Sequence, residues 1–162
     1  MLIRIILLTM LFISNCYANY QQWGTEAINN IMHISNQDTD QYFSRIEKYF
    51  TKEAFVVFKE SFNKTNVPLI KELKLTMSNK NLVPLSKLKD DNHKLQGEYE
   101  LIFQGSDLSL SQKLKVQIAV TEGKDSYMID SLTFDKIGDA QIKMKNLEQA
   151  MMCKKRKEAS TP

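Results

Sequence analysis

"LSLSQKLKVQIAV", residues 108–120, is apolar at almost every even position and mostly polar at the odd ones. In an extended chain Leu108, Leu110, Gln112, Leu114, Val116, Ile118 and Val120 share one face, because successive strand side chains point to opposite sides. A helix would scatter the same residues around its circumference. The stretch is therefore predicted to be a long antiparallel strand with one dry face. Two further strands flank it, "LQGEYELIF" (95–103) and "SYMIDSLTF" (126–134). Gln104-Gly105-Ser106-Asp107 and Glu122-Gly123-Lys124-Asp125 are glycine-centred turns between them. A dry sheet face of this length needs a cover.

That cover is predicted upstream. Trp23, Ala27, Ile28, Ile31 and Ile34 recur at helical spacing. Residues 36–40 (NQDTD) make a polar break with good N-cap residues, and Tyr42, Phe43, Ile46, Tyr49 and Phe50 form a second face. Thr51 reads as the N-cap of a third helix, with Glu53 in its first turn and Phe55, Phe58 and Phe62 on its inner side. Residues 46–62 hold five aromatic rings in a chain only 9% aromatic. Burying each ring stabilises by roughly 1.5–3 kcal/mol, so core is favoured over ligand box, and Phe58 is expected to be the most buried of its helix.

Asn63 to Pro68 is predicted to end the helical part. Leu69, Lys71, Leu73, Leu75 and Met77 share a parity and are expected to open the sheet. Residues 79–92, with Pro84, read as a long hairpin or an irregular connection. Helices over 20–63 followed by a meander over 69–135 is an α+β pattern, helices packed on one face of an antiparallel sheet. Beyond Lys136 the chain turns basic and weakly periodic. Asp139 is expected to cap a short helix through Met152, and "KKRKEASTP" (154–162) lacks any apolar content for a core. The expected division is 1–18 a signal peptide, 19–135 the folded domain and 136–162 a basic tail, partly helical or disordered.

The signal-peptide reading rests on Arg4, the uncharged run 5–13 and the small residues before Ala18. The apolar run falls well short of the ~20 residues a spanning helix needs. Cleavage after Ala18 places the protein in the periplasm; lipidation at Cys16 is the alternative, opposed by Asn15 where a small residue is expected. Cleavage leaves 144 residues (162 minus 18), enough for one core. It also leaves 21 basic residues (22 less Arg4) against 19 acidic, a net of +2 that argues against a nucleic-acid partner. The one cysteine left, Cys153, cannot form an internal disulfide.

Chemistry is sparse. His33 and His93, the two histidines, have no cysteine or paired carboxylate at zinc spacing. Asp38/Asp40 and Asp90-Asp91 lack the glycine and terminal glutamate of a calcium loop. No phosphate-binding glycine loop or nucleophile elbow is present. No catalytic, metal or cofactor residue is therefore assigned. Trp23, Tyr42, Phe58, Tyr99 and Phe103 are the aromatics expected between sheet and helices, as core or as the lining of a pocket.

The order of features resembles the DotI/IcmL family of type IVB (Dot/Icm) secretion. The resemblance is carried by Trp23 before Ala27, "YFT" at 49–51, "NKTNVPLIKELKLTM" (63–77), "GEYELIFQG" (97–105), "LSQKLKVQIAV" (110–120) and "YMIDSL" (127–132), and it spans about residues 20–134. It implies a nuclear-transport-factor-2-like (cystatin-like) fold and a non-enzymatic role in protein–protein assembly. Members within the secretion machine carry a transmembrane helix where this chain has its short apolar run. The resemblance therefore implies a soluble periplasmic accessory or paralogue, whose partners would be other secretion or periplasmic proteins or further copies of itself. The alternative is a small-ligand binder or enzyme using a pocket between sheet and helices.

Overall fold

The computed structural model describes residues 20–89, 91–123 and 126–144. Helix α1 occupies residues 20–31, α2 Thr39–Ile46 and α3 Lys52–Glu72, with a single 3-10 turn at Glu47–Tyr49. The strands are β1 (Ile34–Ser35), β2 (Thr76–Leu88), β3 (Asp91–Gln104), β4 (Leu108–Glu122) and β5 (Tyr127–Met144). They form one antiparallel sheet in the order β1-β2-β3-β4-β5, curled into a half-barrel with the helices on its concave side. This is the expected α+β, nuclear-transport-factor-2-like architecture.

β4 behaves as its parity requires. Gln112, Leu114, Val116, Ile118 and Val120 are buried, and Leu108 and Leu110 half-buried. Its dry face continues across β3, where Leu114 stands opposite Tyr99 and Ile118 opposite Leu95. Gln112, the polar member of the stripe, is satisfied by its neighbour strand: its Nε2 donates to the carbonyls of Ile137 and Gly138 at 3.3 and 3.2 Å. Those carbonyls lie at a register shift of β5, where Gly138 takes φ +67°, a left-handed conformation that a β-carbon disfavours.

Helix α1 lies flat on the concave face through Gly24. A β-carbon there would come within 2.8 Å of Leu95 Cδ1 and 3.2 Å of Ile118 Cδ1. Ala27, Ile28 and Ile31 are buried behind it. Ile34, expected on the same helical face, belongs instead to β1 and pairs with Met77, yet is fully buried. The break before α2 is organised by Asp38. Its Oδ1 accepts from Ser35 N–H at 2.7 Å and its Oδ2 from Arg45 Nη1 at 2.8 Å. Partial burial alone would raise this carboxyl, but the Arg45 and Ser35 hydrogen bonds outweigh it and hold it below the ordinary value.

Two expectations need correction, and one open alternative is decided. Helix α3 does not end by Pro68; it runs to Glu72 with Pro68 exposed inside it. Proline costs one helical hydrogen bond, but Phe62 before it and Ile70 after it are both buried, and their packing carries the helix through. Leu69, Lys71 and Leu73 are therefore helix or helix cap, and the sheet opens at Thr76. Second, of the hairpin and the irregular connection left open for residues 79–92, the hairpin is found: β2 and β3 pair along their lengths, with register shifts around Pro84 that take the missing donor out of the ladder. Third, β5 does not stop at 134 but continues to Met144, paired with β4. Asp139 thus lies in a strand and caps no helix there. The signal-peptide reading and the rest of the expected tail, 145–162, fall outside the described residues.

Candidate functional site: an aromatic cleft between α3 and the sheet edge

Thr51 starts α3 as its spacing predicts. Its Oγ1 accepts from Ala54 N–H at 3.4 Å, and its own N–H donates to Ile129 O at 2.9 Å. That second bond, with the Phe50–Ile129 bridge, pins the helix start to the first residues of β5. From there α3 and β5 form the two sides of an open space, β5 being the edge strand of the sheet among the described residues. The space between them is an open cleft of about 420 Å³.

An aromatic column forms one wall. Phe58 stacks on Phe50 with ring centroids 5.1 Å apart and on Phe62 at 5.3 Å, and Phe62 stacks in turn on Tyr42 at 5.2 Å. Tyr42 is fully buried and its Oη donates to Ile31 O, anchoring the inner end. Burial drives its phenol well above the ordinary range, outweighing the opposing pull of Arg45. Leu132 and Phe134 of β5 face the column, and Val57, Ser61 and Asn66 complete the helix side. A second lobe of about 260 Å³ shares Phe58, Phe62, Asn66 and Phe134 and reaches inward to Met32, Met77, Leu101 and Leu114. The ionisable residues lining the wider part are Glu53 and Asp130, and Lys136 lies at the inner lobe; all three are exposed.

The five expected aromatics are not one constellation. Tyr42 and Tyr99 are fully buried and Phe103 nearly so, whereas Trp23 and Phe58 are partly covered. Trp23 belongs to a separate group, with Tyr49 at 6.4 Å and Tyr127 at 5.7 Å. Of the five, Phe58 alone lines the wide cleft, and it is not the most buried ring of α3, since Phe55 and Phe62 are each 8% exposed. Sequence reasoning missed Val57, Asp130 and Phe134. Phe134 does share the even parity of Leu132, but only the sheet order shows that this parity lies at the sheet's edge among the described residues.

His33 and His93 are exposed and away from the cleft. Among the described residues no group of three His, Cys, Asp or Glu is placed to hold a metal ion. No helix of the described residues is long and apolar enough to cross a membrane.

Solved structures share this arrangement of helices over a curled sheet. An IcmL-like type IV secretion system protein from Legionella pneumophila superposes with TM-score 0.67 at 18% identity, over 75% of this chain and 94% of that one. The periplasmic domain of DotI gives 0.66 at 15% identity, over 73% and 94%. The chain has a DotI/IcmL-like fold. Agrobacterium tumefaciens VirB8 shares the architecture more distantly, at TM-score 0.61 and 7% identity, over 76% and 93%. No family model and no curated protein sequence matches. At these identities the DotI/IcmL-like fold is what the likeness establishes, and the cleft has to be read from its own residues.

Proposed function

We propose that this protein is a non-enzymatic interaction module of the periplasm, an accessory or paralogue of a type IVB secretion apparatus. The observation that carries the reading is the α3–β5 cleft: open, walled by Phe58, Phe62 and Phe134, and bordered by the exposed apolar Val57. An apolar surface left uncovered beside a polar rim marks a site of association. The fold is that of periplasmic domains from secretion proteins, which supports the compartment and the apparatus. Association is favoured over catalysis because the cleft's ionisable groups, Glu53, Asp130 and Lys136, all stand exposed around an open apolar wall.

A photo-crosslinking residue at Val57 in the native host tests this. The reading expects adducts with secretion-apparatus proteins, and none from the same probe at Lys115 on the opposite sheet face. Adducts confined to unrelated proteins would reject it. The small-ligand alternative is kept by one observation, a volume of about 420 Å³ that falls in the range of ligand pockets. It expects a small molecule to copurify and to be released on unfolding, as read by native mass spectrometry.

A further inference from the structure

The inner lobe of the cleft is an apolar space that the fold leaves unfilled. About 260 Å³ lies over a floor of Met32, Met77, Leu101 and Leu114, of which Leu101 is half-buried and the others buried. Folded interiors pack closely and leave few voids larger than a water molecule. An apolar cavity of ~150 Å³ admits benzene, so this lobe has room for roughly ten carbon atoms.

One lining residue breaks the pattern. Lys136 stands on the cleft-facing parity of β5, after Leu132 and Phe134, and pairs in register with buried Leu114. An aliphatic side chain there would extend the dry face; an exposed lysine sets an ammonium at its rim instead. It is the ionisable residue of the lobe, and among the described residues no carboxylate pairs with it. Asn66 of α3 adds an amide, whose Nδ2 donates to Thr65 Oγ1 at 3.2 Å and keeps a second N–H. The acids Glu53 and Asp130 line only the wide part of the cleft. The lobe thus combines an apolar floor with a cationic rim.

We propose that the inner lobe binds a single-chain carboxylate amphiphile of about ten carbons, its chain on Met32, Met77 and Leu114 and its carboxylate at Lys136 and Asn66. A charge-assisted hydrogen bond to the head group favours a carboxylate over an alcohol, and the ammonium repels a cationic head. The inference gives the small-ligand alternative a chemical class and rests on that reading alone. A module that meets proteins at Val57 can hold such a ligand beneath. An inward-pointing lysine also discourages an edge strand from pairing with another chain, a role that needs no ligand and is separated by the test.

The test titrates the full chain, isotope-labelled at its methionine and leucine methyls and backbone amides, with monomeric decanoate, decanol and decyltrimethylammonium. Decanoate should shift the methyl signals of Met32, Met77 and Leu114 saturably, and leave the amides of Lys113 and Lys115 on the other sheet face unmoved. Decanol should bind about tenfold more weakly, and decyltrimethylammonium more weakly still. Lys136→Met should bring decanoate to the decanol value and leave decanol unchanged, whereas Lys136→Arg should keep the preference. A lysine that only guards the edge would leave these affinities alone and, when lost, raise self-association. A preference that survives Lys136→Met would therefore overturn the proposal. Equal binding of decanoate and decanol by the wild type would overturn the carboxylate class while keeping a ligand pocket; no saturable shift from either would remove both. Binding to phosphatidylglycerol vesicles with monomeric decanoate inert would also overturn it, making this face a membrane contact.

Discussion

Tyr99 carries a phenol to a place water does not reach. It is fully buried, and its Oη has no hydrogen-bond partner among the described residues. Thr25, beside it, offsets its pKa slightly, but donates its own hydroxyl to Gln21 O at 2.9 Å. A buried orphan hydroxyl costs roughly 1–3 kcal/mol. Tyr99→Phe should therefore raise the urea midpoint, by about 1 kcal/mol of stability, where loss of a useful hydroxyl would lower it. Burial pushes Tyr99 up to about 12, and Tyr20 likewise to about 12, from 10.0 in the unfolded chain. Both pKa values are raised in the folded state, so their contribution is complete below pH 10 and is lost as pH climbs from 10 to 12. Unfolding followed against pH should steepen in that window for the wild type and less so for Tyr99→Phe. Phe58 and Phe62 form a second comparison. Phe62 is 8% exposed between two stacked rings, so Phe62→Ala should cost about 3–5 kcal/mol. Phe58 borders the open cleft, and Phe58→Ala should cost less; equal shifts in melting temperature would contradict this order.

At the scale of elements, the end of α3 shows local sequence rules yielding to packing. Leu75 N–H donates to Ile70 O at 2.9 Å and Lys74 N–H to Lys71 O at 3.3 Å, a Schellman closure with Ile70 and Leu75 buried together. The residue that must turn left-handed there is Lys74, at φ 49°, where glycine is usual. Lys74→Gly should stabilise by about 0.5–1 kcal/mol, relieving the β-carbon strain, and Lys74→Ala should not; thermal unfolding of both decides. Gly138 makes the opposite case. A β-carbon there meets nothing within 4 Å, so any loss in Gly138→Ala comes from its φ of +67° alone, about 1 kcal/mol. The starts of elements were legible, as Thr51 and the Gly105 and Gly123 turns show, because a cap or turn is made by the few residues that spell it. The end of α3 was not, because the forces that override Pro68 come from the sheet beneath Phe62 and Ile70.

For the whole molecule, the cleft lies where the curled sheet ends at β5 beside α3, which lines its other wall. Its apolar rim contributes little to folding, so Val57→Lys should change stability by less than about 0.5 kcal/mol, Val57 being 70% exposed. The same change should abolish crosslinking to partners from an adjacent probe at Ser61, and unaltered crosslinking would move the interaction surface elsewhere. The α+β class, the dry face of β4, the helices that cover it and the aromatic character of α3 are legible in the residue pattern. Each of these follows from periodicity, and periodicity is a property of neighbouring residues. The folded arrangement separates rings that are core from rings that are wall, since Phe58 and Phe62 share one helix face and differ in what lies opposite. It alone placed Phe134 with Phe58, because the pairing of β5 at the sheet edge is a long-range choice that local patterning does not encode.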